Sequence, residues 1–192
     1  MKLKLTLVLS MIILFTNVFA QKTKSSTGTK KPQLVGVNFL LADYNSVNGI
    51  KSPGTGKGYS SVRDMSKGIA FSYWKGLTST VDFSAKLDAI FSNYNLKANG
   101  LSDKTELGLE LEPTINIRPM GDNAKLAPFL TTGVGVGYYT SDFGAYIPAG
   151  VGLQLNMSNT TYLFLQAQYR FSLTKKVVGD NLLYSFGIAE NF

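Results

Sequence analysis

A chain of 192 residues with 44% hydrophobic and 16% charged residues fits one folded domain and is too apolar for a disordered one. It has no cysteine and no histidine, which excludes disulfides, thiolate metal sites and Ser–His–Asp hydrolysis and removes the commonest general base. Of the 19 basic residues behind the net charge of +7, six lie at positions 2–31; thirteen remain against 12 acidic ones, with no basic face interleaved with aromatics, so nucleic-acid binding is not expected.

Residues 1–20 start with Lys2 and Lys4, run apolar from Leu5 to Leu14 and close on Ala20 before Gln21. That is the pattern of a secretory signal peptide, and the apolar run is too short for a spanning helix. An uncleaved anchor is the rival. Residues 21–32 are Lys, Ser, Thr and Gly with nothing to bury, and read as a flexible periplasmic lead. The folded domain is expected over 33–192.

From Leu34 onward the chain alternates with period two, broken by turn clusters, and no helical face appears. Leu34 to Asp43 puts Val35, Val37, Phe39 and Leu41 on one face. A long Gly-, Ser- and Asn-rich loop follows at 45–64. Gly68 to Lys75 (Ile69, Phe71, Tyr73) and Val81 to Ser92 (Phe83, Leu87, Phe91) come next, joined by a short connection. A second longer loop is expected at 93–104.

Thr105 to Arg118 carries the sharpest pattern. Leu107, Leu109, Leu111, Ile115 and Ile117 share one face; Glu106, Glu110, Glu112, Asn116 and Arg118 share the other. Pro113 interrupts it, and predicts either a bulge or two shorter pieces, because a closed barrel has no free edge to hide a missing donor. Four features follow: a strand at Leu126–Tyr139 with Gly133, Gly135 and Gly137 on its non-oily face, and strands at Tyr146–Met157, Tyr162–Leu173 and Leu182–Phe192. The loops between them fall at 141–145 and 175–181, with a tight turn at Ser158–Thr160.

This makes an all-β chain of eight antiparallel strands, near the ~9–11 residues each needs to cross a bilayer with tilt. Connections alternate short and long, as in an up-and-down transmembrane β-barrel with both termini on one side. A soluble barrel would have to show its oily face to water, in patches far beyond a few hundred Å². Aromatics near strand ends (Tyr44, Tyr73, Trp74, Tyr94, Tyr138, Tyr139, Tyr146, Tyr162, Phe171, Phe192) fit two interfacial girdles.

The motifs resemble a known group. They are the leader ending Ala20-Gln21, Tyr73-Trp74-Lys75-Gly76-Leu77, and Pro128-Phe129 before Gly133-x-Gly135-x-Gly137-Tyr138, with Gly150-x-Gly152, Tyr169-Arg170-Phe171 and a final strand ending on Phe192. Over roughly 33–192 the chain resembles the small outer-membrane β-barrel domains of Gram-negative bacteria, the OmpA/OmpX-like group. The resemblance implies an outer-membrane location, and contacts with outer-membrane lipid. It also implies a terminal Phe192 read by the barrel-insertion machinery, although Glu190 stands where that signal usually keeps an apolar residue.

No catalytic, cofactor or metal residues are expected. Asp82, Lys86, Asp88, Glu106, Glu110, Glu112, Arg118 and Arg170 would line a narrow lumen, where charge must be paired, so a structural salt-bridge network is the reading; a Ca²⁺ site is its rival. Gly54 to Gly58 lacks the spacing and the following helix of a phosphate loop. The expectation is a monomeric, non-enzymatic envelope protein. Its role is structural, or lies in surface interaction, with an extracellular partner at loop 45–64. The alternatives are a secreted soluble barrel holding an apolar ligand and an accessory barrel of a secretion or assembly machine.

Overall fold

The computed structural model describes residues 30–47, 60–95, 100–119, 122, 124–139, 142–175 and 177–192, without the side chains of 93–95 and 100–104. The expected signal peptide, most of the lead and the middle of the 45–64 loop lie outside the described residues.

Alternation dictates the wall. The strands are β1 (Leu34–Asp43), β2 (Ser66–Gly76), β3 (Val81–Asn95), β4 (Gly100–Ile117), β5 (in two pieces, Leu126–Gly133 and Gly135–Tyr139), β6 (Asp142–Asn156), β7 (Thr161–Ser172) and β8 (Asn181–Asn191). Each pairs antiparallel with its neighbours in sequence, and β1 pairs with β8 over Leu34–Asp43, so the sheet closes and no edge remains. Following the registers, and continuing them where they stop short, leads from Leu34 through Trp74, Ser84, Thr114 and Gly133, then Pro148, Arg170 and Asn181, to Tyr44 just past the end of β1, ten positions along (44 less 34). That stagger tilts the strands by about 40° and fixes a bore just wide enough for side chains.

The faces fall as the period requires. Leu107, Leu109 and Leu111 stand on the outside, 48%, 47% and 48% exposed, while Glu110 and Glu112 on the same strand are buried. Phe39, Phe71, Val136, Val151, Phe186 and Ile188 continue the apolar exterior round the wall. A belt of this kind is stable against hydrocarbon and not against water.

Three expectations change. β3 runs on to Asn95 and β4 starts at Gly100, so the 93–104 stretch is mostly hairpin ladder. β6 begins at Asp142, so the 141–145 loop is mostly strand. Both follow from antiparallel partners continuing to satisfy each other beyond the apolar belt. Among the aromatics assigned to girdles, Tyr44, Trp74, Tyr139, Tyr146 and Tyr162 are buried in the bore. Tyr73, Tyr138 and Phe171 are on the outside as expected.

Pro113 neither bulges nor splits its own strand. β4 pairs in one unbroken register past it, Ala85 facing Pro113 on one side. The interruption appears in the neighbour instead. Val134 donates to the Pro113 carbonyl at 3.2 Å, and the proline has no N–H to return the bond. Gly133, one residue back, turns its main-chain groups to β6, where the register on either side sets Pro148 opposite it. Two consecutive ladder donors are therefore missing on opposite sides of β5, and the strand breaks at Val134. Pro113→Val supplies one of them. It is expected to raise unfolding stability by about 1 kcal/mol, read as a higher urea midpoint for the barrel in detergent; an unchanged or lower midpoint would show that the missing donor does not cause the break.

Candidate functional site: the charged lumen

Inside the wall, side chains stack in layers. The first lies near the short turns that join β2 to β3 and β4 to β5. Lys31 enters from before β1 and sets its ammonium 2.6 Å from Asp82 Oδ2. Arg118 grips the same carboxylate, with Nε 2.7 Å from Oδ2 and Nη2 donating to Oδ1 at 3.0 Å. Its Nη1 donates to Asp122 Oδ1 at 3.0 Å, and Tyr162 donates to Asp122 Oδ2 at 2.9 Å. Asp122 of the β4–β5 connection is thus held by Arg118 and Tyr162. Two cations and two anions balance here.

Above them lies an aromatic layer. Trp74 stacks on Phe164 with ring centroids 4.2 Å apart, and Phe129 meets Trp74 edge-on at 5.9 Å. Leu34, Tyr162 and Ala189 complete this cluster. The Lys31 ammonium sits 5.0 Å from the Trp74 ring and 5.1 Å from Phe164, close enough for cation–π attraction. Gly152 leaves the space that the Phe129 ring fills.

The middle of the bore holds the second charge cluster. Arg170 on β7 reaches across to Asp88 of β3 at 2.9 Å and to Glu110 and Glu112 of β4 at 2.6 Å each. Lys86 pairs with Glu112 at 2.7 Å. Gln168 donates to Glu112 at 3.1 Å. Three carboxylates against two cations leave a formal excess of one negative charge, which two phenols share: Tyr139 donates to Glu110 Oε1 at 2.6 Å and Tyr146 to Oε2 at 2.8 Å. The Arg170 guanidinium lies 4.6 Å from the Tyr146 ring. The glycines of β5 make this possible, because a Cβ at Gly135 would overlap the Tyr146 ring and one at Gly137 would crowd Tyr139.

At the loop end an apolar cluster closes the bore: Leu40, Ala42, Tyr44, Ile90, Leu183 and, from the β7–β8 loop, Val178. Asp43 caps it, accepting from the Asn45 and Ser46 amides at 3.0 Å and from Ser60 Oγ at 2.8 Å, which ties down both feet of the 45–64 loop.

Of the residues expected in the lumen, Asp88, Lys86, Glu110, Glu112 and Arg170 come together in the middle, and Asp82 and Arg118 form the separate cluster at the turns. Glu106 lies on the same side of β4 but is only partly buried and joins neither cluster among the described residues. Lys31, Asp122, Tyr139, Tyr146 and Tyr162 are additions. The tyrosines follow from period two alone, since Tyr138, Ile147 and Leu163 face outward; Lys31 lies in the stretch read as a flexible lead. Among the described residues no set of three acidic groups is disposed to share a metal ion. The carboxylates converge on a guanidinium instead.

Comparison with known proteins bears on the fold. No protein-family model matches the chain, and no curated protein does. Solved structures do. The β-barrel domain at the N-terminus of Pseudomonas aeruginosa OprF matches with a TM-score of 0.55 at 10% identity, covering 83% of this chain and 97% of that one. Neisserial surface protein A matches with a TM-score of 0.57 at 11% identity, over 83% and 97%. Ail, the attachment invasion locus protein of Yersinia pestis, matches with a TM-score of 0.51 at 10% identity, over 84% and 99%. The chain therefore has the fold of the small eight-stranded outer-membrane barrels.

Two measurements test the lumen. Arg170→Met removes the cation at the centre and leaves Asp88, Glu110 and Glu112 facing one another. It is expected to cost about 3–5 kcal/mol, and adding Glu110→Gln and Asp88→Asn to it is expected to recover part of the loss in urea unfolding. No recovery would mean that repulsion among these carboxylates is not what the arginine relieves. Lys31 gives a pH signature. Burial holds its ammonium at about 8, below the ordinary 10.5, against the pull of Asp82. Between those values the unfolded chain binds the proton and the folded barrel does not, so stability rises with pH across that window. Lys31→Met is expected to flatten the rise.

Proposed function

We propose that this protein is a non-enzymatic, monomeric barrel of the outer membrane, with a role that is structural in the envelope or exercised by its long loops on the outside. The observation that carries this reading is the division of surfaces. The outer wall is apolar and suited to lipid, and the bore is filled by paired charges between two apolar layers. Neither face is left for a soluble substrate. What remains is the loop end, where the 45–64 stretch alone carries Lys51, Lys57 and Arg63 against Asp64.

The charge network is assigned a structural role. Each carboxylate in it meets a cation or a phenol, and a guanidinium occupies the place a Ca²⁺ ion would need. The signal-peptide pattern at 1–20 supports export, and β8, with Tyr184, Phe186 and Ile188 outward, supports recognition by the barrel-insertion machinery. A soluble carrier of apolar ligands is the weaker reading, because its ligand would need the space that Arg170 and its partners fill. An accessory barrel that docks a partner through 45–64 differs only in what the loops meet.

Membrane fractionation, with unboiled and boiled samples side by side on a denaturing gel, tests the reading. The protein is expected in the outer membrane, migrating faster before boiling than after. A soluble periplasmic or secreted protein with no such shift would overturn it.

A further inference from the structure

The exterior carries a furrow that the lumen does not explain. Two adjoining hollows in the wall, of about 460 and 370 Å³, share Val151 and Gly152 as lining. The registers show that they are one feature. Ile117, Leu130, Val151, Ala167, Tyr184 and Leu41 are successive partners across β4, β5, β6, β7, β8 and β1, and form one bank. Pro128, Leu153, Leu165, Phe186 and Phe39 are successive partners two residues away, and form the other. The furrow between them deepens where the first bank shrinks to Val151 and Ala167. Because the strands tilt, it climbs diagonally from the turn end at Ile117 to the loop end at Leu41.

At the loop end the apolar bank stops at a cation. Leu41 pairs with Lys67, which is exposed on the outer wall between Leu41 and Phe91. Its ammonium lies within 3.4 Å of the Arg63 carbonyl and 3.5 Å of that of Met65, at the foot of the loop that also presents the Arg63 side chain to solvent. Among the described residues no carboxylate pairs with either cation. From Lys67 to Ala167 is three strand spacings, about 14 Å, comparable with the hydrocarbon depth of one leaflet, half of about 30 Å.

We propose that this furrow is a site for a single anionic phospholipid, one acyl chain lying along Leu41, Tyr184 and Ala167 and the phosphate held by Lys67 and Arg63. The apolar length and the cations Lys67 and Arg63 at the loop end match a chain with a charged head, and match neither a second barrel nor a peptide. The inference rests on the transmembrane reading above.

The test uses the full chain, refolded in neutral detergent and doped with phosphatidylglycerol or with phosphatidylcholine of the same chains. Native mass spectrometry counts retained lipid. One phosphatidylglycerol per barrel is expected, favoured over phosphatidylcholine by about tenfold. Ala167→Phe fills the furrow and is expected to abolish retention of both; Val151→Phe does the same if the first variant loses its heat-dependent gel shift. Lys67→Gln with Arg63→Gln is expected to keep the chain but lose the preference. Retention by the wild type no higher than by the filled variants, equal retention of the two lipids, or a two-chain mass that the filled variants dissolve would each overturn the site while leaving the barrel intact. A wild type that shows no gel shift at all would overturn the site and the transmembrane reading together.

Discussion

Arg170 holds the interior together. Its guanidinium faces three carboxylates hung from two adjacent strands on the far side of the bore, at 2.6–2.9 Å. In a low-dielectric interior such a group is very costly without its partners, and they are as costly without it. The consequence runs outward. β7 must sit opposite β3 and β4 at one height for the contacts to form, so the pairing fixes the register of strands that share no main-chain hydrogen bonds. The glycines of β5 then follow, because the phenols of Tyr139 and Tyr146 that share the surplus negative charge need the room that Gly135 and Gly137 leave.

The wall works under a different constraint. In hydrocarbon its main-chain donors have only each other, yet two prolines face successive residues of β5 from opposite sides. β4 stays continuous through Pro113, and β5 breaks at Val134. The weakness falls on the partner of the proline rather than on the strand that contains it, because the partner loses a returned bond on both flanks within two residues.

Much of this was legible in the chain. Alternation of leucine and glutamate in β4 is enough to set inside from outside, and the same period fixes Tyr139, Tyr146 and Tyr162 as interior once Tyr138, Ile147 and Leu163 are exterior. Reading aromatics near strand ends as girdles fails for Trp74 for that reason: Tyr73 faces out, so Trp74 faces in, and a large ring in a narrow bore becomes packing. Other features had no local signal. Lys31 lies in a polar stretch whose composition suits a solvated tail, and only the closed barrel puts Asp82, Trp74 and Phe164 around it. Asp122 sits in a turn whose composition says turn and nothing about direction. The splitting of the charges into two clusters depends on the shear, which no single strand encodes.

The two apolar layers that bracket the charged centre, Trp74 with Phe129 and Phe164 at one end and Leu40, Ile90 and Val178 at the other, have a physiological corollary. On the proposed outer-membrane reading, ions and water meet a greasy stopper from either direction, and the barrel would add no leak. A protein with that property can be carried at high copy number without eroding the permeability barrier, whatever its loops are there to do.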